Sequence, residues 1–177
     1  MDGVGRTTGA AGTRSDVFAG LEQIYPRLWR YALVLTRNRA DAEDLAQTAC
    51  VRAMDNASSF TAGTAFDRWI FRITHRLWLN EVRARHVRRG QGLVPADEVD
   101  IAAEDQIGPN DAARDLIRLI MQLPEAQRVV VVFVYIEGYT YREAAEILAI
   151  PIGTVMSRLA AARERLCSAA DAKKGAA

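Results

Sequence analysis

The chain has 177 residues, of which half are hydrophobic and a quarter charged, so it can bury a core and is not a low-complexity polymer. The longest purely apolar run, residues 129–136, is far short of the ~20 residues that a membrane-spanning helix needs. The net charge of +1 hides a pattern: residues 1–95 sum to +5, residues 96–115 to −6 and residues 116–177 to +2. Two basic blocks around an acidic one point to an anionic partner for part of the chain.

Residues 1–15 are rich in Gly, Thr and Ala without periodicity and read as a disordered tail. Ser15 then stands as a helix N-cap, with an acid just behind it. Val17, Leu21, Ile24, Leu28, Tyr31 and Leu35 follow at spacings of three and four, which predicts an amphipathic helix. Pro26 should kink or split it. A second helix is expected from about residue 38, with Asp41, Glu43 and Asp44 in its first turns and Gln47 one turn on. Acids there suit the helix dipole, and they equally suit docking against a basic protein surface. Residues 56–64 read as a loop and residues 65–89 as a third helix.

That third helix carries the first sign of chemistry. At ~100° per residue, Arg68, Arg72, Arg76 and Arg83 fall on one stripe, with Asn80 at its border. Phe66, Trp69, Ile70, Ile73, Leu77 and Ala84 form an adjacent sector, and Phe71, Trp78 and Val82 a third. Guanidinium groups beside rings suit a single nucleic-acid strand, the cations for phosphates and the rings for unstacked bases. The plain alternative is a core of rings under a solvated cationic face.

Residues 91–110 contain Gly, Pro and acids and read as a flexible acidic linker. Helices are expected again at 111–123, 125–137, 141–148 and 152–170, followed by a tail at 171–177. Residues 141–160 follow a helix-turn-helix pattern: Ala145 where the helices approach, Ala149 in the turn, Pro151 opening the second helix and Val155 facing the first. The start of that second helix, Thr154, Met156, Ser157 and Arg158, would face base edges in a major groove. A plain helical hairpin is the alternative. Ala149 departs from the usual Gly, which tolerates φ > 0 at little cost.

Catalysis finds no support. His75 and His86 sit among arginines, and no nucleophile–base pair, phosphate loop or metal-ligand cluster is present, so no cofactor is expected. Cys50 and Cys167 read as two buried thiols in a reducing compartment, and the N-terminus lacks a signal-peptide layout, so a cytoplasmic protein is expected.

Taken together, these segments carry a family resemblance. DAEDLAQTACVRAM resembles the helix of bacterial sigma factors that grips RNA polymerase. FDRWIFRITHRLWLNEVRARHVRR resembles the adjoining promoter −10 helix, and LPEAQRVVVVFVYIEGYTYREAAEILAIPIGTVMSRLAAARERL the −35-binding module. Their order and the absence of an intervening domain resemble an extracytoplasmic-function sigma factor of the sigma-70 family. The resemblance implies an all-α protein of two small helical domains, residues 16–90 and 111–170, that is not an enzyme. It implies that Asp41, Asp44, Leu45 and Gln47 bind the β′ clamp helices of core RNA polymerase. It assigns Phe60, Arg68, Arg72, Arg76, Asn80 and Arg83 to −10 DNA, with a flipped base held by the 56–64 loop. It assigns Tyr141, Thr154, Met156, Ser157, Arg158 and Arg163 to −35 DNA, and gives the second module the polymerase β flap. An anti-sigma factor is the further partner implied. Met156, Ala160 and Ala161 stand where the family usually has basic or bulkier residues, and Arg76 where it often has Asn. The alternatives from other classes are a stand-alone helix-turn-helix regulator and a protein-binding sigma-like decoy.

Overall fold

The computed structural model describes residues 11–88 and 111–174, so the 91–110 linker and the ends of both tails lie outside the described residues. Helix α1 spans Arg14–Thr36, α2 Arg39–Asp55, α3 Phe66–Arg88, α4 Asp111–Gln122, α5 Glu125–Val131, α6 Tyr141–Leu148 and α7 Ile152–Lys174. Among the described residues no helix is long and apolar enough by itself to cross a membrane.

Local chemistry explains most boundaries. Helix α1 is capped by Thr13, two residues before the expected Ser15. The Thr13 side chain accepts from the Asp16 amide, and Asp16 accepts from the Thr13 amide, a reciprocal capping box. Pro26 does not split the helix: α1 runs through it as one element. An interior proline costs ~3 kcal/mol. Leu21 and Ile24 before it, and Leu28, Tyr31 and Leu35 after it, are all buried on one apolar stripe that offsets this cost. Helix α2 is capped by Asn38, which accepts from the Asp41 amide at 3.0 Å. Its buried positions are Ala42, Ala46, Ala49 and Ala53, small side chains that let it lie close against its neighbours.

The apolar 129–136 run is helical despite its β-branched residues. Helix α5 continues into a single π-helical turn, Val132–Ile136, closed by the Glu137 amide donating to the Val132 carbonyl. The wider turn buries Val132 and Phe133 and leaves Tyr135 and Ile136 about half exposed. Helix α6 has its own capping box, Thr140 with Glu143. Ala149 then takes the left-handed conformation at φ 54°, ψ 45°, the geometry usually given to Gly, and reverses the chain into α7.

The two modules share one core, which a reading of them as separate units does not anticipate. Tyr31 of α1, Phe71 of α3 and Phe133 of the π turn are all buried, with ring centroids 4.7–5.4 Å apart. Tyr139 packs on Phe71 and Phe133. The third sector of α3, predicted from periodicity alone, is thus the seat of the second module. Around these rings lies a polar frame. Arg27 pairs with Glu137 at 2.6 Å and donates to the Tyr139 hydroxyl, which donates in turn to Asp67. Trp78 donates to Glu125 at 2.9 Å. Arg128, 2% exposed, donates to the carbonyls of Val34, Met121 and Leu123. Those oxygens lie at or near the C-terminal ends of α1 and α4, where a cation is favoured.

The cysteines depart from expectation. Cys50 is only partly buried and Cys167 is exposed. At position 167 the apolar side of α7 has already moved away, its buried positions being Val155, Leu159 and Ala162.

Candidate polymerase and nucleic-acid interfaces

On α2, Asp44 and Gln47 are exposed, and Val51 is 61% exposed one turn further on. At ~100° per residue these three span about 60° of the helix surface. Gln47 donates to Glu43 at 3.1 Å, and Glu43 also accepts from Tyr25 and Trp29 of α1. The stripe therefore rides on an anchored carboxylate. The other two predicted docking residues are turned elsewhere. Asp41 faces Arg85 of α3 at 3.2 Å, and Leu45 packs against the small buried cluster that includes Ala32 and Leu33 of α1.

The predicted −10 residues separate into two groups. Arg76, Asn80 and Arg83 are exposed on α3, with Arg83 3.5 Å from the Asn80 side-chain oxygen. Arg68 and Arg72 are half-buried. Arg68 lies 3.5 Å from both Glu143 and Glu146 of α6, so acids of the helix-turn-helix cover it. The Arg72 Nε is buried without a hydrogen-bond partner. Phe60 is only 6% exposed, packed against Phe66 and Trp69 at 5.3 Å centroid distances. It supports two half-buried rings rather than offering its own face.

His75, on the same helix, is 8% exposed and bonded to the Tyr31 hydroxyl at 2.9 Å. Burial, and then the Arg158 guanidinium, push its pKa down to about 4, so the ring is neutral. Burial holds the Tyr31 hydroxyl well above its ordinary value, so it stays protonated and can donate to Nδ1. Arg158 belongs to α7. A charge on α7 is thus felt at the buried ring of α3.

On α7, Val155, Leu159 and Ala162 are buried, while Met156 and Ser157 are exposed, and Thr154 and Arg158 are half-buried. Pro151 opens the helix by accepting from the Thr154 amide at 2.9 Å. Arg163 is exposed but engaged: Nε and Nη2 donate to the Tyr135 hydroxyl at 2.9 and 2.7 Å, and Nη2 also to Tyr141 at 3.3 Å. Its guanidinium lies 5.9 Å from the Tyr135 ring centroid. Tyr141 and Arg163, predicted separately, are thus one cluster built around Tyr135. Sequence reasoning misses Tyr135 because it lies in what looks like a continuous core run. Among the described residues no group of His, Cys, Asp and Glu could hold a metal ion.

Residues 21–88 match the family model for sigma-70 region 2, and residues 113–166 match that for sigma-70, region 4. The chain is 30% identical over 163 residues to the ECF RNA polymerase sigma factor SigW of Bacillus subtilis (strain 168), covering 85% of this chain and 87% of the relative. It is 33% identical over 161 residues to the ECF RNA polymerase sigma factor SigM of Mycobacterium tuberculosis (strain ATCC 25618 / H37Rv), covering 89% of this chain and 80% of that protein. Among solved structures, the sigma factor RpoE from Bartonella quintana, seen in complex with the anti-sigma factor NepR, superposes with a TM-score of 0.72. That match has 29% identity and covers 86% of this chain and 94% of the other. Two family regions in the expected order, and relatives aligned along most of their length, settle the question of kind: the chain belongs to the extracytoplasmic-function sigma factors of the sigma-70 family, transcription initiation factors rather than catalysts.

Proposed function

We propose that this sigma factor docks on core RNA polymerase through the exposed α2 stripe of Asp44, Gln47 and Val51, with Asp41 and Leu45 holding the stripe in place. Its α3 would take the melted −10 strand on Arg76, Asn80 and Arg83, and α7 would read the −35 duplex with Ser157, Arg158 and Met156. Tyr141 and Arg163, tied together by Tyr135, would hold a neighbouring phosphate with the guanidinium nitrogen that remains.

One observation carries the mechanism. Arg68, on the strand-binding helix, is held by Glu143 and Glu146 of the helix-turn-helix. A DNA phosphate and these carboxylates compete for the same cation, so the arrangement described is a closed form, in which α6 occupies part of the strand-binding face of α3. Polymerase docking would separate the modules, releasing Arg68 and Arg72 for DNA. An anti-sigma partner, of the kind that accompanies the Bartonella quintana sigma factor, would act by holding the closed form.

Run-off transcription tests the proposal. Core polymerase with this chain should yield a promoter-specific transcript, and core alone should not. Substituting either promoter element should reduce the product. Tight binding to a palindromic duplex in the absence of polymerase, with no run-off product, would favour a stand-alone regulator instead. Binding to core polymerase with no transcript from any promoter would favour a decoy.

A further inference from the structure

The residues just before α1 are pinned to the loop that follows α2. Ala11 forms an antiparallel β-bridge with Thr61, and the Gly12 amide donates to the Phe60 carbonyl at 2.6 Å. Among the described residues, the other backbone bonds of this loop are local: Ser59 to Asn56, Phe60 to Ala57 and Thr64 to Thr61. Among the described residues, the Gly12 bond is therefore the backbone tie that joins the loop to a distant part of the chain. Arg14 fastens the same stretch to the end of α2, through the Met54 carbonyl at 3.4 Å and Asp55 at 3.7 Å.

The contact is made by close approach. Gly12 is buried, and a Cβ there would stand 2.6 Å from the Phe60 ring. A Cβ on Gly20, two turns into α1, would stand 2.7 Å from the Phe66 ring. Two glycines of the N-terminal segment thus press on two members of the Phe60–Phe66–Trp69 trio, one on each. Phe60 is the buried member of that trio, and Phe66 and Trp69 are half-buried. Rings of this kind suit stacking with an unstacked base, and their use depends on being held in one place.

We infer that residues 11–13 are a strap that positions the 56–64 loop and its aromatic trio for capture of a single-stranded base, with Gly12 as a positioning residue for −10 discrimination. The inference rests on the proposed assignment of α3 and this loop to the melted −10 strand. It goes further because the strap precedes residues 21–88, the stretch matched to the family region. A side chain at position 12 must displace Phe60 or break the bridge. Either outcome frees the loop while leaving the Thr13–Asp16 capping box of α1 intact.

The test uses the full chain with core polymerase and a promoter panel carrying each base at each −10 position, as duplex and as pre-melted bubble. Gly12→Val adds bulk, and Gly12→Pro removes the amide donor. Both should flatten the −10 base preference by about tenfold, the scale of one lost hydrogen bond with its repacking. Both should lower output from duplex promoters more than from bubbles, and should leave core binding and −35 preference unchanged. Asn80→Ala serves as the reference. If Asn80→Ala shifts the −10 preference and neither Gly12 variant does, the strap inference is overturned while the −10 assignment stands. If none of the three shifts it, the −10 assignment fails and takes the strap with it. A Gly12 variant that lowers thermal stability but keeps the full −10 preference would make the strap a merely structural tie and overturn its positioning role.

Discussion

Acidification from pH 7.5 to 5 should cost the folded protein about 2 kcal/mol through His75 alone. The imidazole sits 8% exposed against Tyr31, with its pKa lowered from 6.5 to about 4 by burial and by Arg158. The unfolded chain titrates near 6.5 and therefore binds the proton first as pH falls. The stabilising contribution is complete above pH 6.5, declines as pH drops towards 4, and is flat below that. Over the whole window, a shift from 6.5 to about 4 corresponds to roughly 3.5 kcal/mol at ~1.4 kcal/mol per unit. About 2 kcal/mol of this is lost by pH 5. Urea unfolding at pH 7.5, 6 and 5, on the parent and on His75→Asn, measures it. The Asn side chain keeps an acceptor near the Nδ1 position, and the carboxylates titrate equally in both proteins. The parent should therefore lose about 2 kcal/mol more than the variant between pH 7.5 and 5. NMR titration of the ring should give a midpoint near 4, moving upwards in Arg158→Ala. Parallel stability curves, or a midpoint near 6.5, would refute the burial argument. A midpoint indifferent to Arg158→Ala would mean that burial alone lowers it.

Three further outcomes are expected. Asp44→Arg should weaken core-polymerase binding by a few kcal/mol in a pull-down or titration, with helix content unchanged by circular dichroism, because it reverses a charge on the exposed α2 stripe; undiminished binding would remove the docking assignment. Asn80→Ala should change which −10 base is preferred and spare −35 dependence, whereas Ser157→Ala and Arg158→Ala should lower transcription from duplex promoters and spare a pre-opened −10 region, as read from a promoter panel with bubble controls. Ala149→Gly should raise the urea midpoint by an amount worth about 0.5–1 kcal/mol, since it relieves the left-handed strain at φ 54° and gives part of that back through unfolded-chain entropy; no gain would mean the turn is not strained.

What periodicity can and cannot reveal follows from the range of the forces involved. The helices of both modules are legible because apolar spacing and capping residues act within a few positions of each other. Thr140, Glu143 and Pro151 bracket α6 and α7 where the sequence places them, and Ala149 takes the left-handed turn that the motif requires despite its side chain. The third sector of α3 is legible as a face, but nothing local says that its partner is Phe133, some 60 positions away. The continuity of α1 through Pro26 is hidden for the same reason, since the burial that carries the helix past it comes from other elements. Arg128 looks like one more surface cation, yet its three carbonyl acceptors come from the ends of two other helices. Asp41 and Leu45 fall beside Asp44 and Gln47 by their spacing, and neighbours on α3 and α1 claim them. The strap depends on a single glycine within a low-complexity stretch, where no pattern marks it.

The shared aromatic core bears on how such a protein can be recombined. Tyr31, Phe71 and Phe133 lie within one cluster of buried side chains that draws on both family regions. A chimera that exchanges region 4 with a relative would place foreign side chains against Tyr31 and Phe71, and a chain cut in the linker and stripped of its second half would leave those rings facing water. Contacts of this kind tie the unfolding of one region to that of the other. Phe71 and Phe133 are in ring contact, so substitutions there should be energetically coupled, and drift in one module constrains drift in the other.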